Sequence, residues 1–242
     1  MNELIASKDN AKIKEAYRAL SAKEELFLVE GYHLVEMALA HHAAVEVFSL
    51  EAYACSVPFY RITPEILAKL TTTKTPEGIV ALCRKKAASA PLGDRLLYLD
   101  EVNDPGNLGT LLRTALAFGW QEAVASIGSA EAYASKALLA SQGAIFGLNF
   151  RESPLTPSDD IAWLRSQGYY LLSTDLKAPH KLSDLALPEG RKVALVLGNE
   201  ARGVGPEVLA HSDATVRLEM AGIDSLNVGV AGGILMYELR KK

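Results

Sequence analysis

The sequence predicts an α/β protein in two parts: a small N-terminal α/β domain over residues 1–88 and a larger parallel-sheet domain over residues 94–242. Three observations predict it. Strand-like apolar runs alternate with helix-like stretches along the chain, which is how parallel sheets are wired. One run, VALVLGN at 193–199, shows little alternation, as expected of a strand covered on both faces. Between the parts, KKAASAPLGD at 85–94 is interrupted by small residues, Pro91 and Gly93, in the manner of a linker.

In the first part AKIKEAYRAL reads as helix, LFLVEG as a short buried strand and YHLVEMALAHH as helix. VEVFSL is then a strand, PEILAKL a helix with Pro64 in its first turn, and GIVALCRK a strand. In the second part RLLYLDEV is a strand and GTLLRTALAFG a helix ended by Gly119. EAVASIG is a strand, EAYASKALLASQ and DDIAWLRSQG are helices, and YYLLSTD and VALVLGN are strands. PEVLAHS is a short helix, ATVRLEM a strand, and SLNVGVAGGILMYELRKK the closing helix. Ligands of such sheets bind at the carboxyl ends of the strands.

Composition excludes several classes. Of 242 residues 49% are hydrophobic and 22% charged, which is globular rather than disordered. The two cysteines, Cys55 and Cys83, are far apart, so a disulfide framework or a Cys-rich zinc site is not expected. The five histidines show no metal-ligand spacing, and no metal is expected. The stretch MNELIASKDNAKIKE has no apolar core of signal-peptide length and no apolar run reaches transmembrane length, so the expectation is a soluble, cytoplasmic protein without a membrane role. Residues 1–90 carry 11 Lys/Arg and 11 Asp/Glu, against 14 and 18 in residues 91–242. The basic residues of the first part gather at its two ends, Lys8, Lys12, Lys14, Arg18 and Lys23 and then Arg84, Lys85 and Lys86; on charge alone a solvated helix face and a solvated linker are favoured there over a phosphate-binding surface.

Three strand-to-helix junctions carry residues that packing alone does not explain. In DEVNDPGNLGTLLRTA, Asp104-Pro105-Gly106 is turn chemistry and Asn107 suits an N-cap. Arg113 interrupts an apolar helical stretch and must reach a partner or a ligand. In VALVLGNEARGVGPEV, Gly198, Gly203 and Gly205 permit close backbone approach, without a dinucleotide fingerprint or a P-loop, and Glu200 and Arg202 could form an exposed pair. In RLEMAGIDSLNVGVAGGILMYE, Ser225 suits an N-cap, and Gly229, Gly232 and Gly233 imply close packing of the last helix. Asn227, polar and in the first turn, is left without a packing explanation.

These stretches, in this order, resemble the three motifs of the SpoU (TrmH-like) RNA 2'-O-ribose methyltransferases of the SPOUT class. SKALLASQGAIF resembles the family's intervening helix, and IASKDNAKIKEAYRAL with LFLVEGYHLVEMAL resembles its ribosomal-protein-like substrate-binding domain. The resemblance implies a C-terminal trefoil knot over roughly residues 193–242, a feature that pattern reasoning would reject. It implies bound S-adenosylmethionine, with Gly198, Leu218 and Leu226 in contact, Asn199 and Met220 nearby and Thr174 lining the pocket. It matches Asn107, Arg113, Glu200, Ser225 and Asn227 to the polar residues of catalysis. Leu218-Glu219-Met220 stands where the family usually has Ile-Pro-Met.

The implied activity is 2'-O-methylation of RNA, ribosomal RNA ahead of tRNA, by a homodimer. Arg113, too strong a cation for a good base, is expected to bind a phosphate and polarise the hydroxyl. Asn107 and Glu200 would orient it, while Ser225 and Asn227 order the loop and the ribose. A non-catalytic RNA-binding protein on the same scaffold is one rival, disfavoured by the polar residues. A nicotinamide enzyme is the other, disfavoured by the missing glycine fingerprint.

Overall fold

The computed structural model describes residues 4–90, 93–185, 187 and 189–240. Pro91, taken above as the mark of the linker, lies outside them, as do residues 1–3 and the last two lysines of the closing helix. The chain divides into two compact units, Met1–Ala87 with Glu131–Phe146, and Ala88–Ala130 with Gly147–Lys242.

The first unit opens with β1 (Leu4–Ile5), α1 (Ala11–Ala19), β2 (Leu26–Glu30) and α2 (Tyr32–Ala40). It continues with β3 (Ala44–Ser49), β4 (Phe59–Ile62), α3 (Pro64–Leu70) and β5 (Ile79–Arg84). The sheet is mixed, in the order β1-β4-β3-β5-β2, with β5 antiparallel to both neighbours. Ile13, Leu28, Phe48, Ile66, Leu70 and Leu82 form its core.

The second unit follows with β6 (Arg95–Asp100), α4 (Pro105–Ala117) and β7 (Glu122–Ala125). The chain then returns to the first unit for α5 (Ser135–Ser141) and the start of α6 (Ala144–Gly147). There the Phe27 ring lies 4.7 Å from that of Tyr133 and 6.1 Å from that of Phe146. Gly143 comes so close to Met37 that an added Cβ would stand 3.0 Å from it.

The rest of the second unit is β8 (Asn149–Glu152), α7 (Pro157–Ser166), β9 (Tyr169–Thr174), β10 (His180–Lys181), β11 (Lys192–Gly198), α8 (Pro206–Ala210), β12 (Ala214–Arg217) and α9 (Val228–Glu238). Its sheet runs β10-β12-β9-β11-β6-β7-β8 with every described pairing parallel. The central β6 and β11 are buried along almost their whole length, which explains their continuous apolar sequences. Because all strands point one way, Thr174, Gly198, Asp100 and the chain leaving Arg217 emerge at one edge of the sheet.

Two helix starts differ from expectation. Pro105, fixed near helical φ and lacking an N–H, takes the first position of α4, so Asp104 is the N-cap and accepts the Asn107 N–H at 2.9 Å. Helix α9 starts after Asn227, not Ser225, because the Asn227 side-chain oxygen accepts from Gly229 and Val230 N–H. ATVRLEM is also strand only to Arg217.

Candidate functional site

At the strand-end edge the loop after β11 is the organising element. Gly198 sits so close to the returning chain that a Cβ would lie 2.2 Å from Gly203 C and Val204 N. No residue with a side chain fits there, which fixes the backbone as the wall of any ligand site. Asn199 closes the loop: its side-chain oxygen accepts from Ala201 and Arg202 N–H, and its backbone pairs with Gly203 in both directions. Its amide nitrogen donates to Glu101 O at 2.9 Å. Both ends of the Asn199 side chain are thus used within the protein.

Glu200 reaches the β6–α4 junction. Its carboxylate accepts the N–H groups of Asn103 (3.2 Å) and Asp104 (3.1 Å) and the Asn107 amide (3.0 Å). Burial pushes its carboxyl up, but the hydrogen bonds from Asn107, Asp104 and Asn103 outweigh this and hold it below the usual range. Asn107 in turn accepts from Asn227 at 2.9 Å. Glu200, Asn107 and Asn227, from three separate junctions, therefore form one hydrogen-bonded chain. Arg202 pairs with Glu101, not with Glu200.

Arg113 does not join this chain. Six residues along a helix turn through about 600°, roughly 120° short of two full turns, so Asn107 and Arg113 point in different directions. Arg113 is exposed and, among the described residues, has no hydrogen bond or ion pair. The expected orientation of Arg113 by Asn107 and Glu200 is therefore absent from this structure. Ser225 is exposed and caps nothing.

The residues matched to the methyl donor lie along the same edge. Thr174 ends β9 and donates to Val196 O at 3.2 Å, Gly198 ends β11, and Leu218 and Met220 follow β12, half-buried. Leu226, also half-buried, immediately precedes the α9 cap. A bare backbone turn beside half-buried apolar side chains suits an uncharged nucleoside with an attached sulfonium, so the residues fit the group. Glu219, in place of the usual proline, meets Lys181 at 2.6 Å, so its charge is answered locally. Sequence reasoning missed Glu101 and Asp100, the residues on which the loop rests. Among the described residues no group of three or more acidic, His or Cys side chains could hold a metal, and no helix is long and apolar enough to cross a membrane.

A parallel sheet with its polar residues and a glycine turn at the strand-end edge defines an α/β ligand-binding enzyme scaffold. Residues 94–237 match the SpoU rRNA Methylase family, and the chain belongs to it; residues 10–81 match the MRM3-like substrate binding domain. The 23S rRNA (guanosine(2553)-2'-O)-methyltransferase RlmP of Bacillus subtilis is 32% identical over 251 residues, covering 98% of each chain. A solved structure of a TrmH-family protein from Porphyromonas gingivalis superposes with a TM-score of 0.84 at 28% identity, covering 96% of this chain and 98% of that one. The AdoMet-bound rRNA methyltransferase of Sinorhizobium meliloti gives 0.82 at 25% identity, covering 98% of this chain and 96% of that one.

Proposed function

We propose that this protein transfers a methyl group from S-adenosylmethionine to a ribose 2'-hydroxyl of ribosomal RNA. The observation that carries the reading is the Glu200–Asn107–Asn227 chain, which ties all three motif loops together at the strand-end edge. S-adenosylmethionine, when bound, supplies an electrophilic methyl on a sulfonium. Gly198, Leu218 and Leu226 would hold it, with Thr174 and Met220 lining the site and Asn199 shaping the wall. Arg113, free and exposed, binds the RNA phosphate beside the target ribose and polarises the hydroxyl. Asn107, Glu200 and Asn227 keep the loops in register, and Ser225 faces the ribose. The C-terminal chain over 193–242 is taken to be knotted, as family membership implies.

The part over residues 1–88 would grip RNA and that over 94–242 would carry the chemistry. Lys23, Arg84, Lys85 and Lys86 line one cleft of the first unit together with Glu24 and Glu25, the latter paired with Arg84; the excess of basic over acidic side chains there supports this division. A homodimer is part of the reading: Val230, Ile234 and Tyr237 are 53%, 41% and 46% exposed on α9, an apolar face of the kind a second copy covers. A cytoplasmic location, where ribosomal RNA would be met, is part of the same reading.

Methyl transfer from labelled S-adenosylmethionine to total RNA, followed by mapping of the modified nucleotide, tests the reading. Label in a ribose of ribosomal RNA is expected. Label in tRNA would move the substrate, and RNA binding without transfer would favour a non-catalytic role.

A further inference from the structure

Glu101, the residue after β6, has a φ of +54°, in the left-handed region. A side chain is disfavoured there and glycine is not. The surroundings hold it in place nonetheless. Its N–H donates to Ser126 Oγ at 2.9 Å, its carbonyl accepts from the Asn199 amide at 2.9 Å, and its carboxylate pairs with Arg202. Its Cγ packs on Gly128, where an added Cβ would stand 3.3 Å away. A strained residue fixed from several sides at a ligand edge is where a functional constraint is expected.

What the conformation achieves is visible in the loop. Arg202 lies in the middle of the Asn199–Gly205 turn, which carries Glu200 and adjoins the Gly198 backbone. From beneath, the buried Asp100 accepts the Gly205 N–H at 2.7 Å. Consecutive acids at the end of β6 thus hold the loop at three points: Asn199, Arg202 and Gly205. The Arg202 and Glu101 side chains are 69% and 38% exposed, so their pair adds little to global stability. Its effect is local, on the shape of one loop.

We propose that Glu101 is a positioning residue for the methyl-donor site: from its own left-handed backbone it holds Arg202, and so fixes the Asn199–Gly205 loop and the Gly198 backbone beside it. This rests on the S-adenosylmethionine reading above. A loop released from Arg202 must be ordered again when the donor binds, and that ordering subtracts from affinity.

The test uses the full chain with Glu101→Gly, Glu101→Gln, Arg202→Gln and the Glu101→Gln/Arg202→Gln double variant. Melting temperature, S-adenosylmethionine affinity by calorimetry, and the donor KM and kcat are measured on each. Glu101→Gly relieves the backbone strain, so its melting temperature is expected to hold or rise while donor affinity weakens roughly three- to tenfold. KM for the donor should change more than kcat. The double variant should be no weaker than the worse of its two parents, since both remove one interaction. Unchanged affinity in Glu101→Gly, additive losses in the double variant, or a fall in melting temperature that parallels the loss of affinity would each overturn the proposal. If the unaltered protein itself fails to bind S-adenosylmethionine, the reading beneath falls and takes this inference with it; if it binds and Glu101→Gly binds equally, only the inference falls.

Discussion

Asn227 donates its side-chain amide to the Asn107 side-chain oxygen at 2.9 Å, joining the cap of α9 to the first turn of α4. The two ends of this contact fix its direction. At one end the α9 N–H groups require an acceptor, so the Asn227 oxygen must face them. At the other the Glu200 carboxylate requires a donor, so the Asn107 nitrogen must face it. Only one orientation of each amide satisfies both ends.

Asn227→Asp should therefore separate folding from function. Aspartate still caps α9, so the melting temperature should stay close to that of the unaltered protein. Its carboxylate, however, meets the Asn107 oxygen, and flipping Asn107 would only turn that clash toward Glu200. Methyl transfer is expected to fall by roughly one to two orders of magnitude. Asn227→Ala should lose activity and also about 1 kcal/mol of stability with the cap. Thermal melts and single-turnover rates on both variants check this; equal melts for Asp and Ala would count against the cap.

Arg113→Ala should abolish transfer, by roughly two to three orders of magnitude, with melting temperature and donor affinity unchanged. Arg113 is exposed and has no hydrogen bond or ion pair among the described residues, so no polar contact there is lost with it. Arg113→Lys should be nearly as inactive, because a point charge does not replace the planar fork. A stable, fully active Arg113→Ala protein would remove this residue from the mechanism.

Glu200 gives the protein an acid-sensitive contact. Its folded carboxyl is held below the ordinary range, so the stability it contributes is complete above the unfolded value of about 4.3. That contribution is lost as pH falls through the lower folded value. Glu200→Gln should be less stable than the unaltered protein at neutral pH, with its amide nitrogen facing backbone donors. The gap should close as pH drops below about 4. Melting temperatures of the two proteins from neutral pH to about pH 3 read this directly; a gap that widens in acid contradicts the assigned hydrogen bonds.

Adjacent glycines of α9 should respond in opposite directions. A Cβ on Gly232 would lie 2.4 Å from Leu111 Cδ2 and 2.6 Å from Leu197 Cδ1, both on buried side chains. Gly232→Ala is expected to destabilise by about 1–3 kcal/mol through overpacking. At Gly233 the nearest contact is an ordinary 3.7 Å to Thr114 Cγ2, and Gly233→Ala should gain up to about 1 kcal/mol of helix propensity. Denaturant melts on the two variants distinguish them.

The parts that were legible in the sequence are those with a strong local signal. RLLYLD and VALVLG read as central strands because burial on both faces leaves a continuous apolar run. The short β1, β4, β8 and β10, two to four residues each, leave no such pattern and were not anticipated. Nor was α6. At both caps the expected residue, Asn107 or Ser225, yields to another residue able to cap, Asp104 or Asn227. Asp104 over Asn107 was decidable from Pro105, while Asn227 over Ser225 was not, because both can cap. The junctions that matter were recognisable from their odd polar residues. The bonds among them were not, since Glu200 and Asn107 are 93 residues apart and Asn227 and Asn107 are 120 apart. Glu101 gave no sign at all, because Asp-Glu after a strand is unremarkable and its left-handed backbone is imposed by tertiary neighbours.

The return of Glu131–Phe146 to the first unit bears on how such enzymes can be recombined. A chimera spliced at the linker would transplant Phe27 and Met37 but leave behind Tyr133, Gly143 and Phe146, which pack against them. The transplanted module would carry a raw apolar face, and the recipient a helix shaped for a different host. Exchange of the first unit between relatives therefore calls for two cuts around this helical segment as well as one at the linker. By the same reasoning, the two modules cannot drift apart freely in sequence: substitutions at Phe27 constrain those at Tyr133, more than a hundred positions away.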